Sequence, residues 1–489
     1  MKSAPITRRQ ALRAVAFGAS AMLVSVAVTA CGGGAAPAPV APTAAAAQTK
    51  PAAAAAPTSA KPAAPTTAPA PTTAPAQPAA QPTAAAKTAG GANIRLLTTH
   101  GPVMGKFIQE SLDKFSKEHP DVHVAWEDLT ANYYDKVGVM AAGGTLPDVV
   151  NLRSFDMYDW YRKKSLYDVT SLMKTDGLSP DKYEATIGSC LQEGRYWGLP
   201  YDASVDIIFY NKNLFDKAGQ TYPEQSWTWD KLLEAAKALT QKGGSDVAQY
   251  GFAAMPPLGD WQGEAFLLQN GAKFISDDRT KFLPNMPEAI ETLRWWTDLV
   301  VKHQVAPTPA ANSAVNLFTT GKGAMSIGGQ WNIPGNRDGL KFDWDVAWLP
   351  AGPKGQKLET QGGTYIIFAK TKAPDAAWPL LKWITSGSDW QANVYGGSGY
   401  SVPAWKEVAD SFVAPTKPPK SLPPSHAQVV LDEMAIASTG ALWPNYWNAA
   451  KPWGDQVSLV LLGKATPEQA AQAAKVAADK IIQDALAEG

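Results

Sequence analysis

Excess charge of either sign, cysteine and histidine are what this chain of 489 residues has little of. Lysine plus arginine and aspartate plus glutamate each number 44, so the formal net charge is zero. Nucleic-acid binding needs a basic footprint, so it has no support here. The only cysteines are Cys31, which ends an apolar run, and Cys190, far along the chain. They are too few for a disulfide framework or a thiolate metal site. Cys190 reads as a small buried hydrophobe. Of the five histidines, His119 and His123 have zinc-like spacing. Pro120 falls between them, where a helix gives way to a strand, so they share no helical face. Zinc would also need further convergent ligands. The expectation is no metal and no cofactor.

Catalytic signatures are equally scarce. Gly396-Gly397-Ser398-Gly399-Tyr400 misses the last glycine of a nucleophile elbow. Thr320-Gly321-Lys322-Gly323 lacks the upstream glycine and following Ser/Thr of a phosphate loop. Asp277-Asp278 reads as a turn between short strands. A glycosidase's two carboxylates need only meet in space, but no local pattern points to a pair. The chain is read as a non-enzyme.

What is present begins with an address. Met1 to Arg13 carries Lys2, Arg8, Arg9 and Arg13 and no acid, and the uncharged run Ala14 to Ala30 follows. Together they form the basic and apolar regions of an export signal. Val28-Thr29-Ala30-Cys31-Gly32 resembles a bacterial lipobox, which implies cleavage before Cys31 and lipidation of its thiol. Thr7-Arg8-Arg9 resembles the start of a twin-arginine signal, although Ala11 departs from the bulky residue usual there. From Gly32 to Ala92 the chain is dominated by Ala, Pro and Thr, with no aromatic or acidic residue and Val40 its one branched aliphatic, and it cannot bury a core. At about 3.1 Å per residue such an extended stalk reaches on the order of 190 Å. A glycosylated wall spacer is the other reading of the same composition.

From Asn93 the composition becomes that of a globular body, with length enough for two lobes. Strands are expected at 94–98, 122–126 and 148–152, alternating with helices at 103–117 and 133–142. This alternation argues for an α/β lobe with a largely parallel sheet. Further on, Thr228 should cap a helix to about Gln241, and Asn285 with Glu288 resembles a capping box for a helix to about His303. Short strands are expected at 205–210, 324–328, 345–349 and 365–369. From Pro374 the reading is mostly helical. Thr466-Pro467-Glu468-Gln469 opens the last helix.

Several phrases recur in the order and spacing of one family. They include Gly143-Gly144-Thr145-Leu146-Pro147-Asp148, Gly198-Leu199-Pro200-Tyr201 and Thr228-Trp229-Asp230. Gly321-Lys322-Gly323-Ala324-Met325 before Gly328-Gly329-Gln330-Trp331, Gly362-Gly363-Thr364-Tyr365 and Gly463 to Gln469 complete the set. From Asn93 onward the chain resembles the family 1 extracellular solute-binding proteins. The resemblance implies an α/β, two-lobed periplasmic-binding-protein-like fold of type II, a Venus flytrap with discontinuous lobes and a hinge. The implied division is a signal peptide at 1–30, lipidated Cys31 and stalk at 31–92, and the body at 93–489. Within the body, the first lobe is expected at about 93–203 and 368–422. The second is expected at about 204–367 and 423–489.

The family implies capture of a small polar solute, a mono- or oligosaccharide, for the permease subunits of an ABC importer. It implies a monomer held at the outer face of a cell-envelope membrane by lipid. A surface-tethered carbohydrate-active enzyme and a ligand-sensing receptor input are the alternatives. A sugar wants aromatic platforms with polar groups at the edges, and 18 Trp and 15 Tyr can supply them. Positions carried over from the resemblance are Thr99 and His100 after the first strand and Arg153 after the third, at the strand ends where open α/β sheets bind ligands. Asp202, Ser204 and Asp206 alternate in a crossing segment and should partly share a face. Trp261, Trp331, Gly363 and Tyr365 complete the set, with Trp447 chosen from Trp443, Tyr446, Trp447 and Trp453. Of Trp295 and Trp296, neighbours on one helix, at least one should be core.

Overall fold

A computed structural model describes residues 91–488 apart from 244–245, 255–257, 259–260, 309–315 and 418. The export signal, Cys31 and nearly all of the stalk lie outside the described residues.

Two five-stranded sheets organise two lobes. The first has the order Val122–Asp128, Ala92–Thr98, Val149–Arg153, Gly363–Ile367, Leu199–Pro200. Its first three strands are parallel and the last two pairings are antiparallel. The run Val149-Val150-Asn151-Leu152 is buried throughout, as a strand covered on both faces requires. The helix Gly101–Glu118 places Met104, Ile108, Leu112 and Phe115 on one stripe against this sheet.

The second sheet runs Trp344–Ala347, Asp206–Asn211, Gly323–Gly329, Asp246–Ala254, Gln241–Gly243 and is mostly antiparallel. Its core holds Trp229, Phe252, Phe266 and Trp296, together with the two closing helices, Tyr446–Leu461 and Pro467–Ala487. Ala470, Ala474 and Ala478 are buried there, and their small side chains bring the last helix close. Trp295 is partly buried and stacks on Trp229 at 4.4 Å.

Local signals act as the sequence suggests at two helix starts. The Thr228 hydroxyl accepts from the Lys231 amide, and Thr466 and Gln469 close a reciprocal capping box. Two expectations fail. The helix after Thr228 ends at Leu239, because the Thr240 hydroxyl donates to the Ala236 carbonyl and accepts from the Gly251 amide. Gln241–Gly243 then turns back as a strand. Asn285 does not cap its helix, which starts at Pro287 after Met286 with no side-chain cap.

The chain crosses between lobes more than once, at 202–205, at 359–362 and again beyond 405. The expected return to the first lobe at 368 is too late. Gly363–Ile367 already lies in the first sheet, with Tyr365 opposite Asn151. The expected stretch of first lobe to 422 is too long. Phe412 and Val413 pack with Phe209 and Val346 of the second lobe. Gly363–Ile367 is a buried run without alternation, so the sequence carried no sign of which sheet it joins. Among the described residues no helix is long and apolar enough to cross a membrane.

Candidate ligand-binding cleft

Between the lobes lies a cleft of two adjoining compartments. The inner one, about 230 Å³, is walled by Tyr134, Tyr201, Trp331 and Trp447, with Asp202 and Gln361 among its polar groups. The outer one, about 660 Å³, adds Thr99, Asn132, Asp159, Asn445 and Asn448. Tyr134, Arg153 and Trp447 border both.

Strand ends and turns deliver these groups. Arg153 closes the strand Val149–Arg153, and Asp156 follows in the next turn. The guanidinium grips Asp156 with two bonds, Nε to Oδ2 at 2.8 Å and Nη2 to Oδ1 at 3.1 Å. Its faces are covered by the Tyr134 ring at 3.8 Å and the Trp447 ring at 4.3 Å. Burial pushes the Asp156 carboxyl above its ordinary value, with the Arg153 charge opposing. Trp447 sits in the first turn of the helix Tyr446–Leu461, so this stack joins one lobe to the other. Phe155 meets Trp447 edge-on at 5.5 Å beside it.

The crossing segment forms the floor. Asp202 accepts from the Gly363 amide at 2.5 Å and from the Ser401 hydroxyl at 2.6 Å. Burial pushes its carboxyl up to about 6, against those bonds. Gln330 binds the same segment by its side-chain amide, donating to the Ser204 hydroxyl at 2.9 Å and accepting from the Val205 amide at 3.1 Å. Gly363 is required where it stands, since a Cβ there would fall 2.0 Å from the Tyr201 ring. Half-buried Trp331 follows the strand Gly323–Gly329 and turns its indole into the inner compartment.

Of the expected ligand residues, Arg153, Asp202, Ser204, Trp331, Gly363 and Trp447 meet in the inner compartment, and Thr99 lines the outer one. Three others do not join them, and Trp261 has its side chain outside the described residues. His100 is caged by Tyr201, Tyr365 and Tyr395, with Nε2 3.0 Å from the Tyr365 hydroxyl, and burial lowers its pKa to about 4. Tyr365 is fully buried in that cage, because its strand lies inside the first sheet. Asp206 opens the strand Asp206–Asn211 of the second lobe, opposite Gly329, and is buried outside both compartments. Trp261 begins the helix Trp261–Gln269. Trp443 and Trp453 are core, and Tyr446 borders the outer compartment. Cys190 is buried against Thr364, with its thiol pushed up to about 12.

Sequence reasoning missed Tyr134, Asp156, Tyr201 and Gln361. Tyr201 ends the Gly198-Leu199-Pro200-Tyr201 phrase, and Asp156 stands three residues after Arg153, where an arginine partner is readable. Nothing local marks Tyr134 or Gln361.

Two α/β lobes joined by crossing segments, with an aromatic and polar cleft between them, define a two-lobed ligand-capturing protein. The profile of the family described as bacterial extracellular solute-binding protein matches residues 98–387, and the chain belongs to that family. A binding protein of Brucella abortus is 25% identical over 340 residues, 67% of this chain and 79% of its own. The maltotriose-binding protein of Pyrococcus abyssi is 24% identical over 312 residues, 61% of this chain and 64% of its own. Among solved structures, an ABC substrate-binding protein of Listeria monocytogenes in complex with cycloalternan superposes with a TM-score of 0.70 at 24% identity. That match covers 80% of this chain and 99% of the other. The sugar-binding protein MalE of Xanthomonas citri gives 0.67 at 20% identity, covering 80% and 98%.

Proposed function

We propose that this solute-binding protein captures a saccharide for an ABC importer while tethered through lipidated Cys31 and its Ala/Pro/Thr stalk. The observation that carries the ligand class is the inner compartment. Flat Trp331, Trp447, Tyr134 and Tyr201 surround a space edged by Asp202, Ser204 and Gln361. Apolar sugar faces suit the rings, and hydroxyls suit the carboxylate and amide edges. The names of similar proteins, binders of maltotriose and cycloalternan, agree with this reading. A ligand touching both lobes would stabilise their closed arrangement, the form an importer can recognise.

The test is calorimetric titration of the full chain with mono-, di- and trisaccharides, with product analysis alongside. Saturable binding without product, weakened at least tenfold by Trp331→Ala, is the expected result. Silence towards every saccharide would sink the ligand class. Turnover of a glycan would instead favour an enzyme.

A further inference from the structure

Arg153 and Lys163 are the cations bordering the two compartments, facing the carboxylates Asp135, Asp156, Asp159 and Asp202. Lys163 lies where its charge acts on Asp156 and Asp159. Among the described residues Arg153 is the cation that borders both compartments, so an anionic solute in the inner one would rely on it. That guanidinium is already committed. Asp156 takes Nε and Nη2 in the fork geometry by which arginine reads carboxylates and phosphates, and two rings cover its faces. Three N–H donors remain, one on Nη2 and two on Nη1, but the charge behind them is already balanced by Asp156.

Building on the saccharide reading, we propose that Asp156 sets the charge selectivity of the cleft: by neutralising Arg153 it disfavours phosphorylated and acidic sugars and selects uncharged ones. Asp156 acts as an internal substitute for the anion. Its own side chain is only 16% exposed, so solvent does little to weaken its hold. An incoming phosphate or carboxylate would meet an arginine whose charge is already balanced and would add a further negative charge close to Asp156 and Asp159, which repel it.

The full chain, wild type and Asp156→Asn, is titrated with glucose, maltotriose, glucose 6-phosphate and glucuronate at low and moderate salt. The expected wild type binds a neutral sugar and discriminates at least tenfold against both anions. In Asp156→Asn the anion-to-neutral affinity ratio rises at least tenfold, and the gain shrinks with salt. Wild-type binding of either anion as tightly as the neutral sugars overturns the inference while leaving the saccharide reading intact. So does a folded Asp156→Asn protein that keeps the wild-type ratio. If neutral sugars are silent, the saccharide reading fails, and a gain or no gain of anion binding in Asp156→Asn still decides the role of Asp156. Should that variant not fold, Arg153→Gln decides it. Unchanged, weak anion binding supports the inference, and lost anion binding shows that Arg153 had been reading the anion.

Discussion

The indole of Trp331 lies directly over the α-carbon of Gly329, so closely that a methyl group there would sit 1.8 Å from the ring. Gly329 ends the central strand of the second lobe, and this contact holds the ring across the cleft wall. Alanine at 329 must push the indole aside. Overpacking of this kind costs about 1–3 kcal/mol. Gly329→Ala should lose saccharide affinity about as far as Trp331→Ala does, while the rest of the fold melts cooperatively. Calorimetry beside thermal unfolding reads both effects. Wild-type affinity in Gly329→Ala would show that the ring position is immaterial.

Asp202 ties the first crossing segment to Gly363 and Ser401, both reached after the chain has returned to the first lobe. Removing it orphans the buried Gly363 amide, at about 1–3 kcal/mol, while the Ser401 hydroxyl can still donate to the Ala203 carbonyl at 3.3 Å. Asp202→Ala should lower the melting temperature clearly, and Asp202→Asn, which keeps an acceptor, by less. Equal losses in the two variants would mean that charge, not hydrogen bonding, holds the joint.

His100 gives the protein a sensitivity to acid. Its pKa falls from 6.5 to about 4 because burial disfavours the imidazolium, with the Asp128 charge opposing. A depressed folded value means the associated stability is present above pH 6.5 and is lost as pH falls towards 4. His100→Gln should flatten the decline in melting temperature over that window. An unchanged slope would show that His100 is not the group responsible.

Glu359 works in the opposite direction. It lies in the second crossing segment beside Glu264, and burial raises its pKa from 4.5 to about 7 against hydrogen bonds from Glu264 and the Ala441 backbone. A raised folded value means stability complete below pH 4.5 and lost as pH rises through 7. The difference in melting temperature between wild type and Glu359→Gln should therefore shift in the variant's favour as pH climbs from 4.5 to 8. A difference independent of pH would refute a proton held by this carboxyl.

The alternation of strands and helices through residue 153 could be read from periodicity and turn residues, and it matches the first sheet closely. Gly363–Ile367 could not be placed, because a run of five buried residues fits either sheet equally well. The same ambiguity misassigned Tyr365, whose ring points into the tyrosine cage. Trp331 and Trp447 were found through the family resemblance, and nothing in their own neighbourhoods separates them from core tryptophans such as Trp443. Tyr134 and Gln361 reach the cleft through tertiary packing alone, which leaves no mark in the chain around them.

The position of Gly363–Ile367 also sets an order of assembly. Leu199–Pro200 joins its sheet only through that strand, and the open edge of Val149–Arg153 has no other partner there. Both must wait until the whole second-lobe sheet has been synthesised. A nascent chain therefore carries an unfinished, aggregation-prone sheet edge through most of its synthesis, and neither half of the gene encodes a unit that can mature alone.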